Sequence, residues 1–385
     1  MAKRKRVALI YAYNENWIGG TYYIENLIAA LDQLPHSLKP ELLIFSAEDV
    51  DAKRLQQAVK YPHWSFRRFE KTLSFPERVV NKLTATALNR RYISTLYADI
   101  DIVFPLPTAW RHYFSRVRHH LYWIPDFQEH YLPAFFKSEE IQARKADQQI
   151  IIQLARHIVF SSHAAQNDFN AIYPDNMLTQ HILQFAATGR PTPEQATVCL
   201  AQYGIAQPFF MCSNQFWKHK NHPVVLRALA ELRRTHPQAL VIFTGKEHDY
   251  RNPSYFEELT ELREELGLHK QVQFLGFIPR ADQLTLMQAS IAVIQPSLFE
   301  GWSTVVEDAK SLNIPLLASS LLVHKEQLAD YPAKLFFAPE SHIELASLMA
   351  QTLDGKLPAA PYAYHKDVLR FAQEFVNIVE SITID

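Results

Sequence analysis

The chain has 385 residues, 48% of them hydrophobic and 21% charged, with a formal net charge of −1. That length favours two cores over one, and the composition is that of an ordinary soluble globular protein. Apolar runs, such as those at Ile150 to Ala155 and Ile291 to Ile294, fall far short of the roughly 18 residues a bilayer-spanning helix needs, and two cysteines without a CxxC partner, Cys199 and Cys212, indicate neither a disulfide framework nor a zinc ribbon.

In the opening MAKRKRVALIYA, Val7 to Ala12 reads as a short buried strand behind four positive charges and not as a secretory signal, so a cytoplasmic location is expected. Further strand candidates in the first half are Leu42 to Phe45, Ile102 to Phe104, Leu121 to Ile124 and Ile158 to Phe160, with helical patterns between most of them. After TGRPTPEQ, Thr188 to Gln195, the alternation restarts with Phe209 to Cys212, Leu240 to Thr244, Val272 to Leu275, Ile291 to Ile294 and Pro315 to Ala318. The pattern predicts an α/β protein of two doubly wound parallel-sheet domains, residues 1–190 and 191–363. From Tyr364 to Ile382 apolar residues recur at helical spacing, and a closing helix over about 364–385 is expected to pack back on the first domain.

Charge is unevenly spread. Residues 1–190 carry a net +5 and the remainder −6. The stretch from Arg67 to Arg91 is the densest, and its interleaved Phe66, Phe69, Leu73 and Phe75 suit either a solvated helix and loop or peripheral contact with an anionic membrane. Nucleic acid is not expected, because no helix-turn-helix, zinc-finger or aromatic-strand signature accompanies the charge.

Nine glycines are few for this length, so each marks a place where a side chain is unwelcome. Gly19 and Gly20 follow the first strand and precede a helix whose expected cap is Thr21, a place where backbone N–H groups can meet a phosphate or where a tight turn needs positive φ. Gly301 sits in FEGWSTVVEDAK, after the Ile291 to Ile294 strand. Thr304-Val305-Val306-Glu307 fits a capping box, which makes Glu307 structural and leaves Glu300 and Asp308 to accept hydroxyl protons. Lys218 and Lys220, between the Phe209 to Cys212 strand and the next helix, are placed to neutralise a phosphate leaving group. His219 and His222 in KHKNH have no carboxylate or cysteine nearby to complete a metal site, and Asp99 to Asp101 reads as the turn before a strand and not as a metal-binding DxD.

With these residues in place the chain resembles the retaining glycosyltransferases of family 4, two-domain nucleotide-sugar enzymes of the GT-B fold. The family's donor motif, Glu-Gly-Phe-Gly, four residues, then Glu-Ala, aligns with Glu300-Gly301 and Asp308-Ala309. The resemblance implies that Glu300 faces the donor sugar and Asp308 the ribose, with the amides of Trp302, Ser303 and Thr304 near the diphosphate. KNHPVVLRA places Lys220 at the phosphate-binding lysine, and the segment around Gly276, Phe277, Ile278 and Pro279 is similar to the one lining the base pocket. Gly245 is carried over as donor-binding, Gly19 and Gly20 fall on the family's glycine pair, and RHIVFSSHAAQNDF is similar to its Val-Ser region. Asp308 replaces the usual glutamate, Ser303 the usual second glycine, and Asn214 stands where arginine is usual, so Lys218 would have to help the phosphate clamp. Where the family often has His-Asp, Pro125-Asp126 occurs, with Asp126 carried over as catalytic and His130 as its neighbour. Trp110, Arg111, Tyr122 and Trp123 are candidates for the acceptor side.

The expected reaction is transfer of a sugar from a nucleotide-diphosphate donor to a hydroxyl of a saccharide or lipid-linked acceptor, with retained configuration, Lys220 and Glu300 as catalytic groups and no cofactor or obligatory metal. A sugar-nucleotide epimerase of the same architecture, or a silent nucleotide-sugar binder, are the alternatives.

Overall fold

The computed structural model describes residues 4–15, 18–68, 75–88, 97–191, 196–356 and 361–384. Two parallel sheets organise the chain. The first holds β1 (Arg6–Ile10), β2 (Glu41–Ser46), β3 (Trp64–Arg68), β4 (Ile102–Phe104), β5 (His119–Ile124), β6 (His157–Phe160) and β7 (Thr179–Ile182), in the order β3-β2-β1-β4-β5-β6-β7. The second holds β8 (Phe209–Ser213), β9 (Leu240–Thr244), β10 (Val272–Phe274), β11 (Ala292–Gln295), β12 (Leu316–Ser319) and β13 (Lys334–Phe337), in the order β10-β9-β8-β11-β12-β13. β8, β9, β11 and β12 are buried along their whole length, as strands covered by helices on both faces must be.

Alternation along β1 divides its side chains between two cores. Val7 and Leu9 join Leu42, Ile44, Leu27 and the carboxyl-terminal helix, while Ala8 and Ile10 join Leu43, Phe45 and Val103 on the opposite face. The His365–Ile384 helix lays Val368, Phe371, Phe375, Val376, Val379 and Ile382 into the first of these cores, so the chain's end closes over the sheet its beginning started. Asp99 to Asp101 forms the turn before β4, where Asp101 accepts from the Arg6 amide at 2.8 Å and Asp99 pairs with Arg6 and Arg67.

In each sheet the order reverses between the central strands, β1/β4 in one and β8/β11 in the other. Loops at the carboxyl ends of such strands diverge there and leave a crevice. The two crevices face each other and make one cleft.

Candidate active site in the interdomain cleft

The cleft encloses about 550 Å³ and is lined from both domains, including Gly19, Gly20 and Asp126 from the first and Asn214, Lys220 and Glu300 from the second. At its floor Lys220 Nζ lies 2.6 Å from Glu300 Oε1. Lys220 ends a short 3₁₀ turn after β8, and Asn221 then takes a left-handed conformation, φ 55°, with its side chain donating to the carbonyls of Pro296 and Pro339. This fixes the lysine loop against the loop that carries Glu300. Gln295 and Ser297 also donate to Glu300 Oε1, at 2.8 and 2.7 Å, so Oε1 is saturated while Oε2 has no partner among the described residues. Burial pushes the Glu300 carboxyl up, but the Lys220 ammonium and the Ser297 hydroxyl outweigh it and hold it below the usual range. The arrangement presents an ionised carboxylate with one open oxygen beside a cation.

Asn214 is one step behind. Its side-chain amide donates to Gln295 Oε1 at 3.1 Å, so it steadies Gln295, which in turn holds Glu300. Gly245 lines the same wall and is required there, since a Cβ would lie 2.1 Å from the Asn214 carbonyl oxygen. Phe277 and Ile278 also line the cleft, Phe277 with its ring half exposed.

The Thr304–Ser311 helix begins differently from the capping box read in the sequence. Its cap is Ser303, whose hydroxyl accepts from the Val306 amide at 3.3 Å. Glu307 does not reach back to the cap; it is buried and accepts from Lys310, Gln327 and Tyr364 at 3.0, 2.9 and 2.6 Å. The reason is tertiary, because a buried Lys310 and the Tyr364 hydroxyl compete for the carboxylate more strongly than a solvent-accessible amide would. The Ser303 amide is also occupied, donating to Gln327 Oε1 at 3.1 Å. The amides of Thr304 and Val305 have no partner among the described residues, and both residues line the cleft. An anion placed before this helix would meet two open N–H groups.

Gly301 explains how the domains meet. A Cβ there would lie 2.3 Å from the Pro125 carbonyl oxygen and 2.8 Å from the Asp126 Cβ, so only glycine lets the first domain's loop approach. Trp302 extends the contact, its indole donating to the Phe185 carbonyl at 3.0 Å. Asp126 therefore sits against Glu300-Gly301. Burial pushes its carboxyl above the usual range, against the pull of the Gln128 amide, and the nearby Glu129 and Glu300 push the same way.

On the opposite wall the Ile18–Asp32 helix already contains Gly19 and Gly20, neither with positive φ. Thr21 is consequently not a cap; its hydroxyl accepts from the Asn14 amide at 3.1 Å and donates to the Ala12 carbonyl at 2.9 Å, tying down the loop after β1. A Cβ on Gly19 would lie 3.7 Å from the Thr304 methyl group, so two helix starts converge on one spot.

Three further sequence expectations are corrected. Asp308 does not present its carboxylate to a ligand: Arg280 holds both oxygens, at 2.7 and 2.5 Å, and the side chain is almost wholly buried. Lys218 does not line the cleft; its ammonium lies 5.9 Å from the ring centre of Phe135 in the first domain. Of the acceptor-side candidates Trp123 lines the cleft, stacked on Tyr23 at 4.4 Å, whereas Trp110, Arg111, Tyr122 and His130 do not. Arg280, Gln295 and Gln327 were not foreseen, because their partners Asp308, Glu300 and Ser303 are brought to them by chain crossovers or by a neighbouring loop and no local pattern marks them. His219 is largely buried beside Lys220 and lines the cleft, whereas His222, stacked on Phe216 at 4.8 Å, belongs to the packing around the lysine loop.

Residues 202–367 match the family described as Glycosyl transferases group 1. The chain is 35% identical over 103 residues to a D-inositol 3-phosphate glycosyltransferase of Corynebacterium jeikeium, covering 26% of this chain and 24% of the relative. It is 24% identical over 172 residues to a GDP-mannose-dependent alpha-(1-6)-phosphatidylinositol monomannoside mannosyltransferase of Mycolicibacterium smegmatis, covering 42% of this chain and 43% of the relative. The chain thus spans less than half the length of these curated relatives. Among solved structures it is similar to Anabaena HepE in complex with UDP and glucose, with TM-score 0.72, 18% identity, and 98% and 100% of the two chains covered. It is also similar to a glycosyltransferase of Rickettsia africae, with TM-score 0.67, 15% identity and 98% of each chain covered. These likenesses establish the GT-B fold.

Proposed function

We propose that this protein is a retaining glycosyltransferase that moves a sugar from a nucleoside-diphosphate sugar to a hydroxyl of a saccharide or lipid-linked acceptor. The observation that carries the reading is the Lys220–Glu300 pair at 2.6 Å in the interdomain cleft, beside the open amides of Thr304 and Val305. In this reaction the bond between the anomeric carbon and the phosphate oxygen breaks, and the diphosphate leaves with the electron pair. Lys220 and the two amides stabilise the charge that develops on it. The acceptor oxygen attacks the same face, and its proton passes to the departing phosphate oxygen. Glu300 Oε2, the open oxygen, accepts from hydroxyls of the transferred sugar and fixes its face. Asp126, from the other domain, meets the sugar where the acceptor enters. The reading assigns charge neutralisation to side chains and amides, so no metal is required; transfer that survives EDTA supports that part and loss on chelation refutes it.

The Anabaena protein, solved with UDP and glucose and also with UDP-glucose, makes UDP-glucose the first donor to test, and the mycobacterial relative makes GDP-mannose the second. Donor consumption should depend on an added acceptor, and NMR of the product should show the donor's anomeric configuration. Lys220→Ala and Glu300→Gln should each lower turnover by about 100-fold or more; wild-type rates in both would refute the assignment. Product formed from donor alone would favour an epimerase, and stabilisation by donor without turnover a silent binder.

Of the Arg67 to Arg91 stretch that carries the membrane expectation, residues 69–74 and 89–91 lie outside those described. Within the described part, Phe75, Val79 and Leu83 lie exposed at intervals of four on the Phe75–Leu88 helix, with Lys82 beside them. We infer that this face touches an anionic membrane. No helix among the described residues is long and apolar enough to cross one. Phosphatidylglycerol vesicles should co-sediment the protein and phosphatidylcholine vesicles should not, with Leu83→Asp abolishing the difference.

A further inference from the structure

Arg280 is a cation of the cleft that the proposed reaction has not yet used. It begins the Arg280–Ala289 helix, lines the cleft, and stands 4.7 Å from the ring centre of Tyr22 on the opposite domain. Tyr22 is one turn or less from Gly19, whose Cβ position is 3.7 Å from Thr304, so Arg280 stands where the two helix starts converge. Nη1 donates to Asp308 Oδ2 and Gln283 Oε1, and Nη2 donates to Asp308 Oδ1. Three of the five N–H donors of the guanidinium are spent, all toward Asp308 and Gln283. The remaining two, on Nε and Nη2, share one edge and have no partner among the described residues. Gly189 borders that edge: a Cβ there would lie 3.0 Å from Leu284 Cδ1, 3.7 Å from Nη2 and 4.0 Å from Nε, so a side chain at this position would crowd Leu284 and cover the edge.

Asn214 can supply no positive charge, Lys218 does not line the cleft, and the other lining arginines are paired, Arg144 with Glu129 and Glu140 and Arg251 with Asp249, so the cleft needs a second cation besides Lys220 if it is to hold a diphosphate. We propose that Arg280, clamped from behind by Asp308, is that cation and offers its Nε/Nη2 edge to the phosphates of a nucleoside diphosphate. Asp308 then acts through the arginine as a positioning residue and leaves the ribose alone. The geometry suits this division, because a carboxylate on the end of a guanidinium fixes its plane while the side edge keeps a fork matched to two phosphate oxygens. The inference rests on the donor reading given above.

The test compares UDP and GDP with uridine and guanosine by titration calorimetry or competition. In Arg280→Gln/Asp308→Asn the pair becomes neutral and no unpaired charge is left behind, which protects folding; its melting temperature verifies that. Affinity for the nucleoside diphosphate that binds wild type should fall at least about tenfold, with the matching nucleoside changed by less than about threefold. Arg280→Lys, which keeps a charge on Asp308 but loses the fork, should recover only part of the loss. Diphosphate affinity within threefold of wild type in either folded variant would overturn the proposal, as would an equal fall for the nucleoside, which would put Asp308 on the ribose. If wild type bound neither UDP nor GDP, the donor reading would fall and this inference with it.

Discussion

Replacing Gly301 by alanine asks whether transfer requires the two domains to meet at the Glu300 loop. The new Cβ would lie 2.3 Å from the Pro125 carbonyl oxygen and 2.8 Å from the Asp126 Cβ, whereas ordinary contact begins at 3.4 Å, so about 1 Å of opening is needed. Backbone is on one side of the clash and cannot swing away as a side-chain tip would. Lys220 and Glu300 both belong to the second domain and keep their 2.6 Å contact, so affinity for a nucleoside diphosphate should change less than about threefold. The contacts that open are those across the cleft, from Gly19 to Thr304 and from Trp302 to Phe185. A displacement of ~1 Å between reacting groups costs on the order of 100-fold in rate, which is the expected loss of transfer. Overpacking held in place would cost ~1–3 kcal/mol, but the cleft can relieve it by opening, so the unfolding free energy should fall by less than ~1 kcal/mol. Initial rates, calorimetric affinity and the radius of gyration from small-angle scattering, measured on the same preparation, separate these effects. Wild-type transfer, or a loss of diphosphate affinity as large as the loss of rate, would refute the reasoning.

Other outcomes follow from the same contacts. Glu307→Ala leaves the buried Lys310 with Asp367, at 3.3 Å, as its remaining carboxylate partner and removes the acceptor of the Tyr364 hydroxyl proton; urea unfolding should show a loss of ~3–5 kcal/mol, partly recovered in Glu307→Ala/Lys310→Met. No recovery would mean that Lys310 is not the group left stranded. Glu326 reaches from the second domain to the amides of His163 and Ala164, at 2.8 and 3.0 Å, and so caps a helix of the first. Glu326→Ala should cost ~1 kcal/mol and enlarge the radius of gyration, and an unchanged radius would deny it a role in closure. Burial, with the neighbouring His157, depresses the His181 imidazole to about 4, below the ~6.5 of an unfolded chain. Its contribution to stability is therefore complete above pH ~6.5 and is lost as pH falls towards 4, and His181→Gln should flatten the melting-temperature profile in that window. An unchanged slope would assign the acid sensitivity elsewhere.

How much of this was legible beforehand depended on the range of the interaction. Strands such as β8, β9 and β11 announce themselves because a strand covered on both faces must be apolar throughout, and FFMCS, LVIFT and AVIQ are nearly so. β3, β7 and β13, with sequences WSFRR, TQHI and KLFF, were not foreseen; all three are sheet edges, where burial is partial and the apolar signal fades. Glu300, Gly301 and Lys220 were visible because each lies between a strand end and a helix start, a place the local pattern identifies. Which acid does what was not. Glu300, Glu307 and Asp308 fall within nine residues, yet one pairs with a lysine 80 residues away, one with a tyrosine 57 residues away, and one with an arginine 28 residues away. The amino-acid order decided where carboxylates, glycines and helix starts would stand, because turn chemistry and burial act within a few residues. Only the folded chain decided their partners, because a carboxylate's charge is settled by whichever cation the sheet crossovers bring within hydrogen-bonding distance, and the need for glycine at 301 comes from a carbonyl on the other domain.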